Sequence, residues 1–337
     1  MPNLIKSNAL TFDDVLLVPQ YSDIASRKDV DIGTQLFGVP FPTPICSANM
    51  DTVTEVTMAN KMFDLGGLGF LHRYAEHPAI LEWVKEVHVG KRICIPSIGI
   101  KPDDFDFAMK YAEEGVVAVN IDIAHGDSQH MVQMVKRLTK EGLDVVAGNV
   151  ATYYGALRLA DAGAKVIKVG IGPGSLCTTR IVTGHGVPQL SAIEDCSRLK
   201  ETYHISIIAD GGIRNAGDCV KALAFGADMV MVGSLLAGTT ESPGEFVNNK
   251  KIYRGMASRD ARDAFKKVDS NYTPEGEATY VSNKGPVEGI ISQLAGGIRS
   301  GLSYSGAKNL AQFRKNAEYV TITGNGMAES KPHLLTR

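Results

Sequence analysis

Short apolar runs without polar alternation recur along the chain at near-regular intervals: TPICSANM (43–50), GGLGFLHR (66–73), ICIPSIGI (93–100), VVAVNIDIAHG (116–126), DVVAGNVAT (144–152), KVIKVGIGPGS (165–175), ISIIADGGIR (205–214) and DMVMVGSLLAG (228–238). A run of this kind, closed by glycine or polar residues, reads as a strand buried on both faces, as parallel strands covered by helices are. Between the runs, EVTMANKMFDL (55–65), PAILEWVKEVH (78–88) and AGDCVKALAFG (216–226) return their apolar residues at three- and four-residue steps, the helical period. Strand and helix alternate about eight times in roughly 200 residues, which predicts an α/β (β/α)8 TIM barrel rather than an open doubly wound sheet. Two units echo each other, AGAKVIKVG (162–170) and FGADMVMVG (225–233), each a Gly-Ala turn, an apolar strand and a closing glycine.

Past residue 240 the pattern breaks. Residues 251–286 are polar, lack sustained periodicity and carry turn formers, so they read as a long excursion, a flap near the catalytic face, within one domain spanning 1–337. A helix is expected again over 287–302, followed by a polar tail.

Bulk composition narrows the partner. Lys plus Arg number 35 against 37 for Asp plus Glu, without a long like-charge block, so nothing points to nucleic acid or to an anionic membrane surface. No stretch of about 18 apolar residues and no export signal is visible. Five widely spaced cysteines fit neither a disulfide framework nor a zinc site, and the expectation is a reducing, cytoplasmic setting with a small-molecule substrate.

Barrel chemistry sits where strands give way to loops. The polar residues there are Ser47, Asn49, Asp51, His72, Asp122, His125, Asn149, the GIGPGS loop with Cys177, Asp210 with Gly211 and Gly212, and Gly233 with Ser234. Glycines in three late units let backbone N–H groups approach an anion, so a phosphate site is expected from them. Asp210 suits the paired hydroxyls of a ribose, or it caps the next helix. Cys177 lies among backbone amides, the hydroxyls of Ser175, Thr178 and Thr179, and Arg180, and reads either as a nucleophile or as a bystander. His72, His125 and His185 are candidate bases, though each reads more readily as a hydrogen-bonded loop or strand-end residue. Neither a Walker lysine pattern nor HExxH is present.

The motifs LTFDDVLLVP (10–19), SANMDTVTE (47–55), KVGIGPGSLCTTR (168–180), GVPQLSA (186–192), IADGGIR (208–214) and GGIRSGLSYSG (296–306) resemble the family of inosine monophosphate (IMP) dehydrogenases and guanosine monophosphate (GMP) reductases, over nearly the whole chain. The resemblance implies a homotetrameric barrel that uses a purine nucleotide and a nicotinamide cofactor. It makes Cys177 the nucleophile toward purine C2, with Thr179 and Glu275 as proton donor and relay. It places Ser175, Asp210, Gly211, Gly212, Gly233 and Ser234 on phosphate and ribose, and Gly255 and Met256 toward the base, with Ser47, Ala257 and Gly276 completing the substrate set. Arg73, Asp122, Ile123 and Ala124 match cofactor positions, and Ser26, Arg27, Ser300 and Ser303 match residues that reach the cofactor of a neighbouring subunit. Carbonyls of Gly172, Gly174, Cys177 and Arg180 match the family's monovalent cation site, for which the resemblance implies K+.

Within that resemblance, the branch is chosen by two absences. Residues 72–96 leave no room for the regulatory CBS pair that dehydrogenases usually insert, and the short flap has no Arg-Tyr step with which they hydrolyse the covalent intermediate. Both favour NADPH-dependent GMP reductase over a dehydrogenase that has lost its insert, and the intact set Cys177, Thr179 and Glu275 favours an enzyme over a nucleotide sensor without catalysis. DIAHG (122–126), GHGVPQLS and GGIRSGLSYSG lean toward the dehydrogenase branch, and Tyr272 stands where reductases commonly carry a basic residue, which weakens the preference for NADPH over NADH without reversing it.

Overall fold

The computed structural model describes residue 4 and residues 8–265 and 273–332. Tyr272 and the middle of the expected flap lie outside the described residues. Eight parallel strands close into a barrel: β1 (Ile45–Ser47), β2 (Leu68–Leu71), β3 (Cys94–Ile98), β4 (Val119–Asp122), β5 (Val145–Val150), β6 (Val166–Val169), β7 (Ser206–Asp210) and β8 (Met229–Val232). Each lies inside one of the apolar runs. Closure is made by β8 against β1, with Val230 opposite Ile45 and Val232 opposite Ser47.

The helices that cover the barrel are α1 (Val56–Asp64), α2 (His77–Val89), α3 (Pro102–Glu113), α4 (Gln129–Lys140), α5 (Tyr153–Asp161), α6 (Gln189–Ser197), α7 (Ala216–Ala224) and α8 (Val287–Tyr304). The α4 helix shows why they form. Ser128 caps its start by accepting the Met131 N–H, and Met131, Met134, Val135 and Leu138 form one buried stripe, while Arg137 and Lys140 sit in the last turn near the negative end of the helix dipole. The covering is tight at β2, where a Cβ added to Gly69 would lie 2.5 Å from the Ala59 Cα of α1.

Two expectations need correction. The excursion is not irregular: Lys250–Arg254 and Ala278–Ser282 pair as an antiparallel ribbon, and a short helix, Arg259–Ala264, follows the first strand. The ribbon was hidden because Lys251, polar in sequence, is only 4% exposed; its ammonium donates to the carbonyls of Thr239, Thr240 and Ser242. Nor is the end of the chain a plain tail. Leu310–Asn316 is a helix anchored by buried Leu310 and Phe313, and Tyr319–Thr321 pairs antiparallel with Val15–Leu17 outside the barrel. That last strand is exposed throughout and leaves no apolar period to read. No helix among the described residues is long and apolar enough to cross a membrane.

Gly69→Ala should push α1 off the barrel and cost about 1–3 kcal/mol, the usual range for overpacking. The check is a lower urea midpoint at unchanged m-value.

Candidate active site

The loop after β6 is pressed against the end of β7, since a Cβ on Gly170 would meet the Asp210 carbonyl oxygen at 2.0 Å. Gly172 follows at φ 85°, a left-handed conformation that favours glycine. The loop then tightens, with the Cys177 N–H donating to the Gly174 carbonyl (3.1 Å), and enters the short helix Thr179–Thr183. Among the five cysteines Cys177 is half-buried and the other four are buried. Burial pushes the Cys94 and Cys219 thiols up to about 12, and Cys46 and Cys196 are also driven well up, so those four are held as inert thiols.

The second strand of the ribbon is led into by a segment that pairs with this loop. Glu277 N–H donates to the Leu176 carbonyl (3.0 Å) and Thr178 N–H to the Glu275 carbonyl (3.1 Å). Ala257 and Gly255 join the same lattice, through Glu275 N–H to the Ala257 carbonyl (3.1 Å) and Gly255 N–H to the Glu277 carbonyl (2.9 Å). The consequence is a line of side chains: the Cys177 thiol lies 3.2 Å from Thr179 Oγ1, whose hydroxyl donates to Glu275 Oε2 at 2.8 Å. A proton can move along that line between the sulfur's surroundings and a carboxylate.

Below it lies a buried charge cluster. Lys168, in the middle of β6 and 2% exposed, donates to Asp122 Oδ1 at the end of β4 (2.6 Å) and to Asp210 Oδ2 at the end of β7 (2.8 Å). A register shift between β5 and β6 falls at Gly148 and Val150 and turns the intervening Asn149 inward, where its amide donates to Asp210 Oδ2 (2.9 Å) and the Gly170 carbonyl (2.8 Å). Burial alone would raise the Asp122 carboxyl, but Lys168 and then Arg73 outweigh it and hold it below the usual carboxylate range. Burial alone would likewise lower Lys168, but the two carboxylates carry it above the usual lysine value.

A cavity of about 250 Å³ opens over this floor. Around it the structure brings together Cys177, Thr179, Glu275, Ser175, Asp210, Gly255, Met256, Ala257 and Gly276, together with Arg73, Asp122, Ile123, Ala124, Gly172 and Gly174. Asp210 is not a helix cap: Asn215 caps α7. Gly211, Gly212 and Gly233 stand behind the lining, and a Cβ on them would meet Pro173, Phe12 and Met50, respectively. Ser47 is buried at the end of β1 with its hydroxyl unpartnered among the described residues. The Arg180 guanidinium faces away from the cavity, onto the carbonyls of Val187 (2.7 Å) and Ile171 (3.4 Å).

The remaining expected residues lie elsewhere. Ser234 gives its carbonyl to Lys284 (2.5 Å). Ser26 caps the one-turn helix Arg27–Asp29, which packs on α8, the helix carrying Ser300 and Ser303. These four do not line the Cys177 cavity of their own chain. His72 is buried, accepting the Tyr74 N–H on Nδ1 (3.1 Å) with Nε2 3.3 Å from Glu55, while His125 and His185 are exposed. Sequence reasoning gave no role to Lys168, Tyr253 or Arg254. A lone lysine inside the apolar run VIKV was the available signal for the first. Tyr253, buried with its hydroxyl 3.3 Å from Ser175 Oγ, sat in a stretch that showed no period.

Fold and site together define a (β/α)8 barrel whose mouth is built around a thiol loop, with carboxylates and glycine-rich strand ends beside it. A family model described as IMP dehydrogenase / GMP reductase domain matches residues 9–333. The inosine-5'-monophosphate dehydrogenase of Cryptosporidium parvum is 39% identical over 381 residues, covering 96% of this chain and 94% of that protein. The GMP reductase of Leishmania donovani is 31% identical over 478 residues, covering 97% of each. A cysteine-to-alanine variant of GMP reductase from Trypanosoma brucei, solved in complex with guanosine 5'-monophosphate, superposes with a TM-score of 0.92 at 30% identity and 98% coverage of both chains. The chain belongs to the IMP dehydrogenase/GMP reductase family, a family of oxidoreductases of purine metabolism.

Lys168→Met should destabilise the fold by about 3–5 kcal/mol at pH 8, because two buried carboxylates lose their counter-charge. In the native protein the depressed Asp122 adds stability above its unfolded value near 3.9 that is lost as pH falls. The raised Lys168 adds stability below its unfolded value near 10.4 that is lost as pH rises, so the network acts in full between about pH 5 and 9. In the variant Asp122 loses the largest influence opposing burial, so the deficit should shrink on going from pH 8 to pH 5. Urea denaturation at the two pH values measures this.

Proposed function

We propose that the chain is a GMP reductase, converting GMP to IMP and ammonia with NADPH. The observation that carries the reading is Thr179 standing between the Cys177 sulfur at 3.2 Å and the carboxylate of Glu275 at 2.8 Å, with Glu275 supplied by a flap whose sequence contains no Arg-Tyr step. Cys177 adds through sulfur to purine C2, and Thr179, backed by Glu275, delivers the proton with which the 2-amino group leaves as ammonia. The reduced nicotinamide, when bound, supplies a hydride to C2. The C2–S bond then breaks, the electron pair returns to sulfur, and IMP departs. Water activation is unnecessary in this sequence, which matches a flap without the Arg-Tyr base.

Asp210 and the unpartnered Asn149 Oδ1 beside it suit the ribose hydroxyls, and Ser175, Gly211, Gly212, Gly233, Ser234 and Ser47, whose own hydroxyl is unpartnered, suit the phosphate. Gly255, Met256, Ala257 and Gly276 face the base. Arg73, Asp122, Ile123 and Ala124 form the adjoining floor for the nicotinamide ribose. Ser26, Arg27, Ser300 and Ser303 complete the cofactor site across a homotetramer interface, a role consistent with their separation from their own chain's cavity. Carbonyls of Gly172 and Cys177 accept no hydrogen bond among the described residues, and with those of Gly174 and Arg180 they suit K+, whose hydration shell carbonyl oxygens replace well.

A second reading, IMP dehydrogenase acting with NAD, has an observation of its own. The relatives of that name include one aligned over 381 residues and another, from Nitrosopumilus maritimus, aligned over 465, each covering 96% of this chain, so the name occurs with and without a long insertion. The flap is therefore the discriminating feature.

The purified protein, given GMP and NADPH with K+, should consume the reduced nicotinamide absorbance and release ammonia. Formation of NADH from IMP and NAD, with no reaction in the other direction, would overturn the reductase reading. Cys177→Ala should lower turnover by on the order of 10⁴-fold while still binding GMP in calorimetry; Thr179→Val should lose roughly 10²- to 10⁴-fold in kcat.

A further inference from the structure

The reacting line Cys177–Thr179–Glu275 is assembled from two segments that belong to different parts of the chain, and something must fix one against the other. The loop carrying Cys177 is set by the barrel. The segment carrying Glu275 bonds to that loop directly, and on its other side to residues 255–257 through the backbone bonds Glu275 N–H to Ala257 and Gly255 N–H to Glu277. Arg254 ties residues 255–257 in turn to the barrel.

Arg254 ends the first ribbon strand, and its side chain reaches back to the loop after β1. Its Nε donates to Asp51 Oδ2 at 2.9 Å and one terminal nitrogen donates to the same oxygen. The Asp51 side chain is 5% exposed and that of Arg254 16%, so the pair is shielded from the water that weakens surface ion pairs. Neighbouring contacts repeat the link: Arg254 N–H to Thr52 Oγ1 (3.4 Å) and Asp51 N–H to the Met256 sulfur (3.3 Å). Its other terminal nitrogen donates to the Asp260 carbonyl (3.4 Å), tying in the short flap helix. Asp51 Oδ1 is buried without a partner among the described residues, so the carboxylate is committed to Arg254 through one oxygen.

The geometry points to Asp51 and Arg254 as a pair of positioning residues: the ion pair sets the height of residues 255–257 above the barrel and thereby the Thr179–Glu275 contact. This rests on the proposed function, since it assigns the pair to the chemistry of that same line. Neither residue lines the cavity, so each acts through Glu275 rather than on substrate. An arginine is required because its two nitrogens grip one oxygen from a fixed plane, which a lysine does not do.

A double-mutant cycle tests the assignment. Asp51→Asn keeps the shape and removes the charge; Arg254→Lys keeps the charge and removes the planar grip. In the native background each should lower kcat roughly 10- to 100-fold, the scale of a misplacement near 1 Å. In a Glu275→Gln background, assayed at high enzyme concentration, each should change kcat by less than about 3-fold, because the group it positions is already gone. Unchanged kcat in the native background, or the same fold-loss in both backgrounds, would overturn the proposal. Should Asp51→Asn fail to fold, the Arg254→Lys cycle carries the test alone. A wild-type protein inert with GMP plus NADPH and with IMP plus NAD sinks the functional reading itself, and the proposal with it. Wild-type turnover with additive variants sinks the proposal and leaves the reading standing.

Discussion

The mouth of this barrel depends on one ammonium group. Lys168 stands inside a ring of apolar strands with Asp122 and Asp210 on either side, and without it the two carboxylates would repel each other in a medium that screens poorly. With it, three strands, β4, β6 and β7, are tied at their carboxyl ends, and two carboxylates share one counter-charge at the rim. The register shift that turns Asn149 inward adds a fourth strand to the same knot. A buried ion pair is weak evidence for stability in general, since well-packed apolar groups often serve as well. Here the charges are kept for what faces them: an open cavity whose occupants, in the proposed reading, carry ribose hydroxyls.

How much was visible beforehand follows from how each residue announces itself. The eight strands were legible because both their faces are buried, which leaves uninterrupted apolar runs. Cys177 stood out from four other cysteines through its company of glycines and hydroxyls, and the structure separates it from them by burial. The ribbon was not legible: Lys251 breaks the apolar pattern while being almost wholly buried, its charge met by backbone carbonyls rather than by a carboxylate. Arg254 and Asp51 were invisible as a pair for a different reason, since local patterns say nothing about two residues separated by 203 positions. Asp51 was legible singly, as a polar residue past a strand end.

The family poses a choice that the barrel itself does not make. In the proposed reading, the cysteine loop, the carboxylates and the glycine corner serve a nucleotide in either direction of hydride flow. What differs is whether the covalent nucleotide meets water with a base beside it. In this chain a threonine hydroxyl stands beside the sulfur with a carboxylate behind it, which in the proposed reading hands a proton to a departing amine.

Barrel closure between β8 and β1 has a consequence for the order of assembly. The first barrel strand waits, unpaired on one edge, until the last is made, and Asp51 waits longer still for a partner on the ribbon. A ribosome releasing this chain therefore exposes Cys177 well before Glu275 exists. Contacts of such sequence separation form slowly, after loop closure has been overcome. The line from thiol to carboxylate is thus completed only as the molecule becomes whole, so a partly synthesised chain carries Cys177 and Thr179 without the carboxylate that stands behind them.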